Sequence, residues 1–161
     1  MLTLSHNRRM PQTIEETSTR AIITDQGQLL ILYFEEKQFS FLPGGRVEAG
    51  ETLQEGLQRE LREELPGFKF TVESHVGQID HLWPDGANQR LTHHQFFLTY
   101  AADLDATIVP VSQDPPLVFL WIALADLDRY NLQPRSARKR ILELQRGATG
   151  FWLDQDNDIL K

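Results

Sequence analysis

Apolar and polar positions along this chain change period several times, and each change marks an element. Residues 19–24 and 28–33 are apolar runs parted by Asp25-Gln26-Gly27, a spacing that predicts a β-hairpin. Residues 39–42 predict a short strand, and Pro43-Gly44-Gly45 supplies the turn chemistry of a loop after it. The period then lengthens. Leu53, Leu57, Leu61 and Leu65 recur every four residues, the buried stripe of an amphipathic helix. Thr52-Leu53-Gln54-Glu55 reads as a capping box that satisfies orphan amides at the helix start. Pro66 stops the helix near Leu65, because proline cannot extend it and pushes its predecessor out of helical geometry.

Past the helix, residues 68–79 predict one or two strands, and Trp83-Pro84-Asp85-Gly86 a tight turn. A long strand over 91–101 follows, then a polar, proline-rich span over 103–116 and another strand over 117–123. Residues 125–130 suggest a short helix, and 134–146 a longer one with proline at its start and Gly147 as its cap. The tail over 150–161 is mixed, and its Phe151-Trp152-Leu153 packs on the body or on a partner, a second copy of the chain being one choice. Mixed strands with two flanking helices imply an α/β sandwich.

The first helix carries more than a core stripe. Gly45 is followed after five residues by Glu51, and after seven more by Arg59-Glu60-Leu61-Arg62-Glu63-Glu64. Glu60, Glu63 and Glu64 fall at i, i+3 and i+4, so a helix puts all three carboxylates on one face, within reach of a common point. Crowded like charges destabilise a bare helix, whereas hard divalent cations are held by carboxylate oxygens. A solvated face with pairs such as Glu55–Arg59 and Arg59–Glu63 has a similar composition. The full string separates the two. Six specified positions, each filled at roughly one in fifteen, coincide with a frequency on the order of 10⁻⁷ per start. The segment reads as a metal site.

Residues 45–67 resemble the Nudix box, G-x5-E-x7-R-E-U-x-E-E-x-G-U, where U is a bulky aliphatic residue. Gly45, Glu51, Arg59, Glu60, Leu61, Glu63 and Glu64 match; the last two specified positions hold Pro66 and Gly67 instead. That departure touches the loop after the helix and leaves the ligand face intact. Weaker likeness spans about 18–146, through Arg20-Ala21-Ile22-Ile23, Phe41-Leu42-Pro43-Gly44-Gly45 and the segment from Trp121 to Leu127. The resemblance to the MutT-like Nudix hydrolases implies an α/β/α sandwich with a mixed sheet. It also implies magnesium- or manganese-dependent hydrolysis of the pyrophosphate bond in a nucleoside diphosphate linked to another moiety. Glu60, Glu63, Glu64 and the Gly45 carbonyl would hold the cation, while Arg59 and Glu51 would orient those ligands.

Composition bounds the rest. At 161 residues, 40% apolar and 24% charged, the chain reads as one globular domain over 1–161, with its core over about 18–146 and a tail over 147–161. A net charge of −7 argues against a nucleic-acid binder but not against phosphate substrates, because a bound cation inverts the local field. Without cysteine there is no disulfide framework, thiol nucleophile or cysteine zinc site. The isopentenyl-diphosphate isomerase reaction that such a box can accompany calls for a cysteine and is set aside. Residues 1–10 carry no apolar signal region and no stretch is long enough to span a bilayer, so a cytoplasmic protein is the expectation.

Several roles stay open at this level. Family members place a further glutamate beyond the box, yet none occurs between Glu73 and Glu143. Asp114, His93, His94 or a box glutamate are the candidates for general base; adjacent strand histidines face opposite sides, so at most one of the pair reaches the site. Phe39, Trp83 and Phe97 are candidates to stack on a nucleobase, and Arg46 or Arg90 to meet outer phosphates. Nucleoside triphosphates, dinucleoside polyphosphates, nucleotide sugars and ADP-ribose are not separated. The missing glutamate also admits a second reading, a non-catalytic nucleotide sensor.

Overall fold

The structure, a computed structural model, describes residues 9–158, so the reading of residues 1–10 falls largely outside the described residues, as do the last three of the tail. The elements run β1 (Thr13–Ile22), β2 (Thr24–Asp25), β3 (Gln28–Phe34), β4 (Phe39–Phe41), β5 (Gly44–Arg46), α1 (Leu53–Glu64), β6 (Thr71–Asp85) and β7 (Asn88–Tyr100). After them come β8 (Val118–Ala123), β9 (Leu132–Gln133), α2 (Ala137–Gln145) and β10 (Trp152–Asn157).

The expected hairpin joins β2 to β3. Gln26 and Gly27 take positive φ (47° and 77°), as a two-residue turn between antiparallel strands requires. β3 lies between β4 and β8, with β9 beyond β4. The second sheet runs β10-β6-β7-β1-β5 and is mixed: β1 is parallel to β7 and antiparallel to β5.

The apolar run of β3 has no polar gaps because both of its faces are covered. Leu30 and Leu32 pack in one core with Leu57 and Leu61 of α1, Leu65 just after it, and Phe97 of β7. Leu29 and Ile31 pack in the other with Ala137 and Ile141 of α2 and Phe96 of β7. A helix on each side of the strands makes an α/β/α sandwich.

Three expectations change. Trp83-Pro84-Asp85 is not a loop: β6 continues through Asp85, and the turn is Gly86 and Ala87. Pro84 is tolerated there because the pairing of β6 with β10 ends at Leu82↔Asn157, which leaves one edge of β6 without a partner strand. Residues 125–130 give only a 3-10 turn, Leu124–Asp126, and α2 begins at Ala137, after Pro134. The tail packs on the body as a strand: β10 runs parallel to β6 with Trp152 buried, while Phe151 and Leu153 stay exposed. Among the described residues, no helix is long and apolar enough to cross a membrane.

Candidate active site

The helix start is capped as its sequence suggests: Thr52 Oγ1 accepts the Glu55 amide at 3.1 Å. With Leu57, Leu61 and Leu65 buried against the sheets, the opposite helix face is left to charge. Arg59 organises it. Its Nε and Nη2 donate to the two carboxylate oxygens of Glu51 at 2.7 and 2.9 Å, and Nη1 donates to Glu60 Oε1 at 2.9 Å. Nη2 also donates to the Arg46 carbonyl at 2.9 Å, tying α1 to β5. Glu51 accepts the Glu48 amide as well, and these donors, Arg59 foremost, hold its carboxyl down at about 2. The same pairing raises the Arg59 guanidinium above its ordinary value.

Glu64 behaves in the opposite way. Burial pushes its carboxyl up to about 7, against the pull of the Arg20 guanidinium and the Gly44 amide. Its Oε1 accepts from Gly44 N at 3.3 Å, while its buried Oε2 has no hydrogen-bond partner among the described residues. The Glu60 carboxylate lies against Gly45: a Cβ there would stand 2.4 Å from its carboxyl carbon, so any side chain at this position would push that carboxylate aside.

Glu60, Glu63, Glu64 and Gly44 line a cleft of about 460 Å³ together with Arg20, Phe41 and Asp114. The three glutamates share this cleft without converging: among the described residues, no three acidic or histidine side chains meet at one point. Their mutual repulsion and the draw of Arg59 on Glu60 and Glu63 account for the spread. The donor set nonetheless suits a hard divalent cation, being all carboxylate oxygen with one buried atom unpaired.

A second cavity, about 640 Å³, shares Arg20 and Phe41 with the first and holds Phe39 and Trp83 in its wall. Arg90 covers one side of the Trp83 indole at 5.7 Å and is paired with Asp85 and Glu16, so it has no free head for outer phosphates. Arg46 lines neither cavity; its exposed guanidinium pairs with Glu16 at 3.1 Å. Phe97 is core, fully buried and stacked on His75.

The two histidines do point apart. His93 is held by Asp80 through Nδ1 and by Glu15 through Nε2, each at 2.6 Å, and these partners raise its pKa. His94 lines the second cavity, and burial lowers its pKa well below the ordinary value, so it is neutral. Neither lines the carboxylate cleft, whereas Asp114 does.

Arg20 carries no sequence signal of its own, yet it sits where the two cavities meet. It donates to the Leu42 carbonyl at 3.0 Å and lies 5.5 Å over Phe41, with Glu64 and Glu60 close enough to oppose the loss of charge that burial favours. Glu16 is a second such residue, accepting from Arg46, Arg90 and Thr92.

Residues 16–144 match the family model described as the NUDIX domain. Among solved structures, the chain is similar to a MutT protein from Bacillus halodurans, at 17% identity and a TM-score of 0.63, covering 88% of this chain and 89% of that one. A UDP-X diphosphatase gives 20% identity and a TM-score of 0.60 over 87% of this chain and 67% of that one. A NUDIX hydrolase from Nitrosomonas europaea gives 17% and 0.59 over 90% and 80%. At these identities the likeness is one of fold. No curated protein matches the chain.

Proposed function

Because the chain belongs to the NUDIX domain family and is therefore a pyrophosphohydrolase, we propose that it cleaves the pyrophosphate bond of a nucleoside diphosphate linked to another moiety, with magnesium or manganese. One observation carries this reading: the cleft holding Glu60, Glu63 and Glu64 joins, at Arg20 and Phe41, a cavity walled by Phe39 and Trp83. A diphosphate and a nucleobase need just such neighbouring environments, one anionic and metal-binding, the other aromatic.

Glu60, Glu63 and Glu64 would hold the cation, with the Gly45 carbonyl beside them. When bound, such an ion neutralises the diphosphate and lowers the pKa of a coordinated water. Glu51 and Arg59 orient Glu60 through the three short hydrogen bonds described above, a supporting role whose loss ordinarily costs one to two orders of magnitude (about 10–100-fold). Trp83 and Phe39 stack on the base, and the cationic Arg20 faces the phosphates. Arg46, at the rim of β5, reaches them only by releasing Glu16.

For the proton acceptor, His93 is held by two carboxylates and His94 belongs to the other cavity, which favours a carboxylate. Asp114, in the wall of the cleft, and the box glutamates are the groups in place. The net charge of −7 supports a small nucleotide over nucleic acid, in a single cytoplasmic domain. Exposed Phe151 and Leu153 beside the edge strand β10 support a contact with a second copy.

The test is a panel of nucleoside triphosphates, dinucleoside polyphosphates, nucleotide sugars and ADP-ribose with magnesium, products being separated to locate the broken bond. Turnover should be metal-dependent and be lost in Glu64→Gln. Equal turnover in that variant rejects the assignment. Tight nucleotide binding without hydrolysis of any substrate establishes the sensor reading in its place.

A further inference from the structure

The floor of the larger cavity consists of alternate residues on three neighbouring strands, since successive side chains of a strand face opposite sides of its sheet. β1 supplies Glu16, Ser18 and Arg20, β7 supplies Thr92 and His94, and β6 supplies His81 and Trp83. Register sorts them into rows about 7 Å apart along the strands. Glu16 stands beside Thr92 and Thr92 beside His81; Ser18 stands beside His94, and Arg20 beside Phe96. Beyond Phe96 the Trp152 indole closes that last row, filling the space over Gly77, where a Cβ would lie 2.3 Å from the ring. Trp83 starts one row outside Thr92 but leans back over it, its Nε1 donating to Thr92 Oγ1 at 3.1 Å.

Polar groups of the outer row are engaged: Thr92 donates to Glu16 at 3.1 Å, and His81 is bonded to Asp158. The middle row differs. Ser18 is 4% exposed and His94 8%, yet neither side chain has a hydrogen bond among the described residues. Buried polar groups are ordinarily paired, so two adjacent ones without partners in a cavity floor point to a ligand that supplies them. Of the His94 ring nitrogens, Nδ1 is shut off inside the protein and Nε2 is left open to the cavity. A stranded lone pair is tolerated better than a stranded N–H, so in this neutral imidazole Nδ1 keeps the lone pair and Nε2 carries the hydrogen.

Leading away from the carboxylate cleft, the floor therefore presents a cation, then an unpaired hydroxyl and imidazole, then an aromatic plate. A nucleotide has the same order: phosphate, sugar, base. We propose that Ser18 and His94 form a ribose subsite, the serine hydroxyl and the imidazole N–H binding a sugar hydroxyl, and that they select ribonucleotides over deoxyribonucleotides. This rests on the nucleotide-hydrolase reading above. Both groups suit a hydroxyl: Ser18 donates and accepts, as a sugar hydroxyl does, and the imidazole N–H donates to its oxygen. A sugar lacking that hydroxyl leaves both buried groups unpaired, a mismatch that a site built around a hydroxyl rejects.

The experiment compares kcat/KM for adenosine, guanosine, cytidine and uridine triphosphates with their 2′-deoxy and 3′-deoxy forms, with magnesium, in the wild type, Ser18→Ala and His94→Phe. The wild type should favour the two-hydroxyl sugar over at least one deoxy form by about tenfold or more, whatever the base, the order expected when a buried polar group is left unpaired. In each variant that ratio should fall towards unity, mainly through loss on the ribose substrate. Ser18→Ala removes one oxygen and decides the matter should His94→Phe fail to fold. Loss by one common factor across ribose and deoxyribose forms, as a purely structural role would give, overturns the assignment; so does a wild type without preference for ribose. Where the wild type hydrolyses none of these triphosphates, the pair is judged by binding of the same nucleotides, followed by tryptophan fluorescence, and the hydrolase reading stands or falls separately on the wider substrate panel. An affinity ranking identical in wild type and variants, or no binding at all, overturns the subsite.

Discussion

Glu64→Gln should make the metal-free protein more stable while making it inactive. The carboxyl is pushed by burial from an ordinary value of 4.5 to about 7, with Arg20 and the Gly44 amide only partly compensating. An acid whose folded pKa is raised binds its proton more tightly in the folded state. Its contribution is therefore fully favourable below pH 4.5 and is lost as pH rises to about 7. Each pH unit in that window costs about 1.4 kcal/mol, so the ionised Glu64 burdens the folded state by at most about 3 kcal/mol. Glutamine is nearly isosteric, keeps an acceptor for Gly44 N and carries no charge. In EDTA at pH 8.5 the variant should melt higher, by up to roughly 5–10 °C for a chain of this size. At pH 5 the wild-type group is largely protonated when folded, and the difference should shrink to about 1 kcal/mol or less. Saturating magnesium should stabilise the wild type far more than the variant. A variant no more stable than the wild type at pH 8.5, or equally more stable at both pH values, refutes the account of a buried, unpaired carboxylate.

Arg59→Lys should leave the fold intact but cut kcat by about 10–100-fold and raise the magnesium needed for activation, because an ammonium cannot span both Glu51 oxygens; unaltered kinetics would remove Arg59 from the site. Gly77→Ala should expel the Trp152 indole, lowering stability by about 1–3 kcal/mol and shifting tryptophan emission to the red. An unshifted spectrum would mean that β10 is not held there. His93, whose pKa is raised by hydrogen bonds to Asp80 and then Glu15, stabilises the fold below pH 6.5 and ceases to do so as pH climbs through its raised folded value. In a Glu64→Gln background, where that carboxyl no longer titrates, urea unfolding of His93→Gln should show a flatter decline of stability with pH than its parent.

Much of the local architecture was legible because the signals are short-range. A leucine every fourth residue, a threonine three before a glutamate, and a proline after Leu65 define α1 to within a residue of Leu53–Glu64. The same period placed Glu60, Glu63 and Glu64 on one face, since spacing along a helix is geometry and needs no partner. Trp83 was misplaced because proline and glycine read as a turn wherever they fall; only the end of pairing between β6 and β10 shows that Pro84 has room in a strand. The stretch Thr13 to Thr17 gave no apolar run, since its sheet partners rather than its own hydropathy make it a strand beside β7.

What tertiary structure alone decided is proximity between residues distant in sequence. Arg20 becomes the hinge of two cavities because β1 runs beside β5, and Asp114 enters the carboxylate cleft because its loop folds over that end of the sheets. Asp158 meets His81 only because the tail adds a parallel strand. Nor could spacing tell that Glu64 resists ionisation while Glu51 embraces it. Two carboxylates thirteen positions apart differ through burial and through the reach of one arginine, and both are properties of the packed molecule.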